Sequence, residues 1–174
     1  MFIHLICFLF FSEFSESSII PEVVTSNESF TDNGDCDFET DYCGYIPNLR
    51  FERWKGKAPA SQFGPSSGPN ADHTTGSGYY ALCVGSKLTT DEAECQLSKT
   101  FTNKRADTKF SFWYYLYGTT VGSLELKKND IVIWSDEKQQ NSWKKSVVDF
   151  PIGTFTVIRL LLRNQKKLQT NHSN

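Results

Sequence analysis

The residues able to do chemistry are few, and they cluster between Cys36 and Cys95. Of five cysteines, Cys7 lies in an apolar N-terminal stretch, while Cys36, Cys43, Cys83 and Cys95 lie in the body of the chain. Zinc sites use close pairs such as C-x2-C, which these four lack, whereas an even number suits a disulfide framework with three alternative pairings. Asp37 and Glu39 flank Phe38, so an extended segment would place both carboxylates on one face and Phe38 towards the core. Together with Asp72 they could contribute to a calcium site, although Ca2+ takes about six to eight oxygens and backbone carbonyls and water would have to complete it. The competing reading, favoured here, has these carboxylates accepting hydrogen bonds from neighbouring loops. In Asp72-His73-Thr74 a single histidine makes no triad, and the expected role is to fix a loop through side-chain to backbone hydrogen bonds. Gly64-Pro65-Ser66-Ser67-Gly68 fits G-x-S-x-G, but Pro65 and Pro69 deny the strand and helix that a nucleophile elbow needs.

The chain that must position these residues has 174 amino acids, 39% of them hydrophobic and 14% aromatic, with 18 basic and 20 acidic side chains. That suits one folded domain, with no general charge attraction to nucleic acid. No apolar run approaches the roughly 20 residues of a membrane span. Phe2 to Phe11 has the length of a secretory h-region, with Ser15 and Ser17 after it, and predicts a leader cut near Ser17. A buried N-terminal strand is the alternative. Cleavage would remove Cys7, Glu13 and Glu16, leaving four cysteines and balanced charge. Sequons at Asn27 and Asn171 agree with export. The expected layout is a signal peptide over 1–17, a polar leader over 18–35, a β-sandwich over 36–162 and a basic, polar tail over 163–174.

Beyond Cys36 the apolar residues come in short runs divided by turn residues, an all-β pattern. The clearest strand is Lys109 to Tyr117, with Phe110, Phe112, Tyr114 and Leu116 on one face and Ser111, Trp113, Tyr115 and Tyr117 on the other. Both faces are mostly apolar, as in a central strand. Further strands are predicted at Tyr79 to Val84, Cys95 to Phe101, Ser123 to Lys127, Ile131 to Trp134, Trp143 to Asp149 and Phe155 to Leu162. Lys128-Asn129-Asp130 should turn a hairpin, and Gly118 and Gly122 should bracket a loop. The Gly, Pro and Ser content from Gly56 to Gly78 predicts a long surface loop. Trp54, Trp113, Trp134 and Trp143 are expected mainly to pack the core and sheets rather than form a sugar platform.

Taken in order, Cys36-Asp37-Phe38-Glu39, Cys43-Gly44-Tyr45, Trp54, Gly68-Pro69, Asp72-His73-Thr74 and Gly78-Tyr79-Tyr80 resemble a MAM domain. This is the extracellular module of meprins, neuropilins and mu-type receptor tyrosine phosphatases. Leu97-Ser98, Phe112-Trp113-Tyr114, Gly122-Ser123-Leu124, Trp134 and Trp143 continue the same order. The resemblance implies a jelly-roll sandwich of two antiparallel sheets, with Phe38, Trp54, Asp72, His73 and Thr74 in structural roles. It also pairs Cys36 with Cys43, so Cys83 would join Cys95 as a cross-hairpin bridge. Lys109 stands where the family usually has a cysteine, and the apolar closing strand expected after Leu162 is missing, which reads as a divergent, truncated domain with an unpaired sheet edge. The implied function is secreted recognition or adhesion through an extracellular protein or glycoprotein partner, with self-association open and no catalysis. The alternatives are a carbohydrate-binding jelly roll or a non-catalytic fragment of a larger secreted or membrane enzyme.

Overall fold

The computed structural model describes residues 7–9, 35–59, 68–84, 94–101, 108–117, 121–150 and 156–164, and for 7–9 and 156–164 the course of the backbone. These residues form ten strands in two antiparallel sheets and, among the described residues, no helix. The strands are β1 (Cys7–Leu9), β2 (Ile46–Pro47), β3 (Phe51–Lys55), β4 (Tyr79–Cys83) and β5 (Cys95–Phe101). They continue with β6 (Thr108–Leu116), β7 (Val121–Lys128), β8 (Ile131–Asp136), β9 (Gln140–Phe150) and β10 (Thr156–Asn164). One sheet has the order β3-β4-β1-β6-β9 and the other β2-β5-β10-β7-β8. They are called sheet A and sheet B below.

Side-chain alternation explains why the two sheets stack. On β6, Phe110, Phe112, Tyr114 and Leu116 are fully buried, and the next residues on the other face, Ser111 and Tyr115, are almost so. On β5 the inward set is Cys95, Leu97, Lys99 and Phe101, and on β7 it is Leu124 and Leu126. Trp134 of β8 meets Phe112 and Tyr114 edge-on, with ring centroids 5.0 and 5.3 Å away, which locks the two inner faces together. Each fully buried large apolar side chain contributes roughly 1.5–3 kcal/mol, so these aromatics dominate the cohesion of the sandwich.

Turn chemistry sets the connections. Asn129 and Asp130 both adopt positive φ (46° and 68°), the backbone that a tight hairpin between β7 and β8 requires and that Asn and Asp tolerate best. Gly122 lies inside β7 and is buried, so it belongs to the strand rather than to a loop. The span from Gly56 to Gly78 contains no strand where it is described, yet Ala58, Pro69, Asp72 and Gly78 are buried. It therefore covers the sandwich instead of running wholly over its surface.

Three strands differ from expectation. The short β2 and the charged β3 have no clear alternating signal, and they form through pairing with β5 and β4. Cys7–Leu9, inside the stretch read as an export leader, pairs antiparallel with β4 and with β6 and lies between them in sheet A. Within the described residues the last strand is β10, which sits between β5 and β7 in sheet B.

Candidate functional site

At one end of sheet A the chain folds into a knot around Cys36–Tyr45. The Cys36–Cys43 bridge closes it with Cα atoms 5.4 Å apart. Phe38 is fully buried, but its φ is 60° and that of Cys43 is 51°. The segment is thus a turn rather than an extended strand, so the expected alternation of Asp37 and Glu39 about Phe38 does not describe its backbone. Left-handed backbone is costly for such residues and persists where surroundings over-determine it. Here Arg53 of β3 supplies that constraint, donating from Nε to the Phe38 carbonyl (2.8 Å) and from Nη2 to the Glu39 carbonyl (2.7 Å). The guanidinium also lies 4.5 Å from the centre of the Tyr79 ring. From sheet B, buried Lys99 reaches the Cys43 carbonyl (2.9 Å) and sits 5.2 Å from the Tyr45 ring centre.

The carboxylates of this knot serve backbone amides. Asp37 accepts from the Glu39 amide (3.0 Å), and Glu39 accepts from the Tyr79 amide (2.9 Å). Asp72 accepts from the amides of Thr74 (2.8 Å), Thr75 (2.7 Å) and Gly78 (2.6 Å) and from the Thr75 hydroxyl. Burial alone would raise the Asp72 pKa, but these amide and hydroxyl donors outweigh it and hold the carboxyl below its ordinary range. Glu39 and Asp72 converge on Gly78, where an added Cβ would collide with Glu39 Oε1 and crowd Asp72 Cγ, so the Glu39 carboxylate would have to shift to admit any side chain. Among the described residues no group of three or more His, Cys, Asp and Glu is placed to hold a metal ion.

The outer face of sheet A is aromatic and lies beneath the segment 68–78. His73 stacks on Trp113 with ring centroids 3.5 Å apart and meets Trp143 edge-on at 6.4 Å. Trp143 donates from Nε1 to the Ala71 carbonyl (3.1 Å), and Tyr115 and Tyr80 approach the same indole edge-on. Burial lowers the His73 pKa; Asp72 opposes that and Lys145 adds to it. Among the described residues no partner accepts or donates at its buried Nδ1. His73 is therefore a packing group on an indole.

A third cluster spans the sheets. The Tyr114 hydroxyl donates to Asp136 Oδ2 (2.5 Å), and Lys144 Nζ reaches the same oxygen (2.8 Å). Burial and then the hydrogen bond to Asp136 push the Tyr114 pKa up to about 12. Asp136 is held below its usual value because donors from Lys144, Tyr114 and the Lys138 amide outweigh the opposite effect of burial. This arrangement fixes a charge between layers and offers no titrating group near neutrality.

Cys83 on β4 and Cys95 on β5 are bonded, with Cα atoms 5.8 Å apart. Their strands belong to opposite sheets, so the bridge crosses the core instead of closing a hairpin. Trp54, Trp113, Trp134 and Trp143 are all partly buried and packed against the core. Asn27, Asn171 and Gly118, residues 64–67 and the 165–174 tail lie outside the described residues. Sequence reasoning did not single out Arg53, Lys99, Asp136 or Lys144. Only Lys99 left a signal, because it shares the inward face of Cys95, Leu97 and Phe101.

A two-sheet antiparallel sandwich with one local and one inter-sheet disulfide defines a disulfide-stapled β module. The profile of the MAM domain, meprin/A5/mu, matches residues 36–169, and the chain belongs to this family. Among similar proteins, Neuropilin-1a of Danio rerio is 30% identical over 131 residues, covering 67% of this chain and 14% of that protein. MAM domain-containing protein 2 of Homo sapiens is 29% identical over 128 residues, covering 67% of this chain and 18% of that protein. Thyroid hormone-induced protein B of Xenopus laevis is 26% identical over 129 residues, again 67% of this chain and 18% of that protein. The chain thus spans less than a fifth of the length of these relatives.

Proposed function

We propose that the protein is a secreted recognition module that binds an extracellular protein partner and performs no catalysis. The observation that carries this reading is membership of the MAM family in a sandwich whose four body cysteines are all paired. Paired cysteines suit an oxidising compartment. The apolar stretch Phe2 to Phe11 would supply the export signal, with Asn27 and Asn171 as glycan acceptors. The titratable groups described above serve packing and loop closure: Asp37, Glu39 and Asp72 accept backbone amides, and His73 stacks on Trp113. The four partly buried tryptophans favour protein recognition over a carbohydrate platform, which needs an open ring face.

Export tests this reading. Expressed with its N-terminus intact in secretory cells, the protein is expected in the medium, lacking residues 1–17 and losing mass on treatment with an N-glycan-cleaving enzyme. Retention inside the cell, with no glycan, would refute it. A glycan array is expected to show no selective binding; selective binding abolished by Trp113→Ala or Trp143→Ala would favour the lectin alternative.

A further inference from the structure

His73 sits where a neutral imidazole fits and a charged one does not. Its ring lies on Trp113 of β6 with the two planes 20° apart, and its buried Nδ1 has no hydrogen-bond partner among the described residues. An imidazolium carries an N–H on both nitrogens, so protonation in place would bury a cationic donor without an acceptor. Two charged groups face the ring: Asp72 of its own loop favours the cation, and Lys145 of β9, paired in register with Trp113, disfavours it. β6 contributes the uncharged Trp113, Lys144 is turned to Asp136, and the next charged pair across these strands, Lys109 and Asp149, lies four residues further along. An indole face attracts a cation, but burial is the largest influence on the ring and the balance disfavours charge.

The loop that carries His73 keeps its shape through bonds of its own. Asp72 gathers the amides of Thr74, Thr75 and Gly78, and the Ser77 amide donates to the Thr75 hydroxyl. Its ties to the outer face of sheet A are of a different kind. Among the described residues, its hydrogen bonds and ring contacts to β6 and β9 are those of His73 with Trp113 and Trp143 and a single neutral bond from Trp143 Nε1 to the Ala71 carbonyl. Thr74 to Ser77 are exposed. The sandwich beneath is held from its inner side by Cys83–Cys95, by Tyr114 with Asp136 and by Trp134 against Phe112 and Tyr114, none of which involves this loop.

We propose that His73 is an acid-operated latch: on protonation it leaves Trp113, the Asp72-tied loop over residues 71–77 lifts from the outer face of sheet A, and Trp113 and Trp143 become open to solvent while the sandwich stays folded. The sign follows from linkage. In the lifted loop His73 has the ordinary histidine pKa of about 6.5, and in the docked loop burial lowers it. Lifting is therefore favoured by up to about tenfold for each pH unit below about 6.5, until the docked form also takes up a proton. Near neutral pH the latch is closed. The inference goes beyond the recognition reading, because it makes exposure of an aromatic surface depend on pH.

The test measures hydrogen-exchange protection factors by NMR in the oxidised full chain at pH 7.5 and 5.0, each corrected for the intrinsic exchange rate at that pH. Protection of the Trp143 indole N–H is expected to fall at least fivefold at pH 5.0, while the Phe112 and Leu126 amides of β6 and β7 keep theirs. His73→Phe retains an aromatic ring on Trp113 but cannot titrate, and its Trp143 protection is expected to be the same at both pH values. If that variant does not fold, His73→Gln takes its place with the same expectation of pH independence. Unchanged Trp143 protection in the parent chain at pH 5.0 would overturn the proposal. A fall that persists in the non-titrating variant would overturn it too, and so would an equal loss at Phe112 and Leu126, which would mean that the whole sandwich opens rather than one loop.

Discussion

Asp72 shows how a single side chain organises this molecule. Three amides and a hydroxyl converge on one carboxylate, and the loop they fix lays His73 on Trp113 and carries the Ala71 carbonyl to Trp143. Asp72→Ala is expected to cost about 2–4 kcal/mol in denaturant unfolding, because hydrogen bonds to a charged group are worth ~1.5–3 kcal/mol and the loop can rehydrate some donors. A loss under about 0.5 kcal/mol would show that the loop holds without it. Since the Asp37, Glu39 and Asp72 carboxylates already accept protein amides, EDTA is expected to leave the melting temperature unchanged. A fall of several degrees, restored by calcium, would instead place the ion on this loop. His73 adds a pH dependence. Its pKa is lowered in the fold by burial, so the unfolded chain binds more protons as pH falls through about 6.5, and stability drops in that window. Asp72 and Asp136, both lowered, contribute stability that is lost only at lower pH, from about 4 downward. Melting curves from pH 7.5 to 3 should show both steps, and His73→Gln should abolish the upper one; an unchanged upper step would assign it to another group.

At the scale of elements, legibility in the sequence followed side-chain periodicity. The alternation Phe110, Phe112, Tyr114, Leu116 announces β6 and its inward face, and Asn129-Asp130 announces the β7–β8 turn. β3 gave no such signal, because Glu52, Arg53 and Lys55 carry its polar character while pairing with β4 defines it. The Phe38 turn was equally opaque: a buried aromatic between two acids looks extended, and its positive φ is imposed by Arg53 from a distant strand. The cysteines were visible as a set, but not the sheet to which each belongs, since a connection's length does not say whether it makes a hairpin or crosses the core. The stretch around Cys7–Leu9 is ambiguous for a different reason, as an export leader and a strand buried on both faces demand the same apolar composition. The inter-sheet contact at Tyr114 is testable at this scale. Tyr114→Phe removes its bond to Asp136 while leaving Lys144 in place, and is expected to cost about 1–2 kcal/mol in denaturant unfolding. A neutral result would mean that ring packing against Trp134 alone holds β6 to sheet B.

For the whole molecule, two layers are held by an aromatic interior and by one covalent link between sheets, with a second covalent link tightening the knot at one end. The family fold was legible from the order of its motifs, and sequence also indicated the chemistry of its staples, but not the place of Cys7–Leu9 within sheet A, which emerges only when β4 and β6 are placed on either side of it. Export, disulfide pairing and partner binding form one account, because each depends on the sandwich assembling in an oxidising compartment. The most direct test is peptide mapping, without reduction, of protein recovered from the medium of expressing cells. The account predicts that Cys36 is linked to Cys43 and Cys83 to Cys95, in a chain lacking residues 1–17. Linkage of Cys36 to Cys83, or an intracellular chain with every thiol reduced, would contradict it.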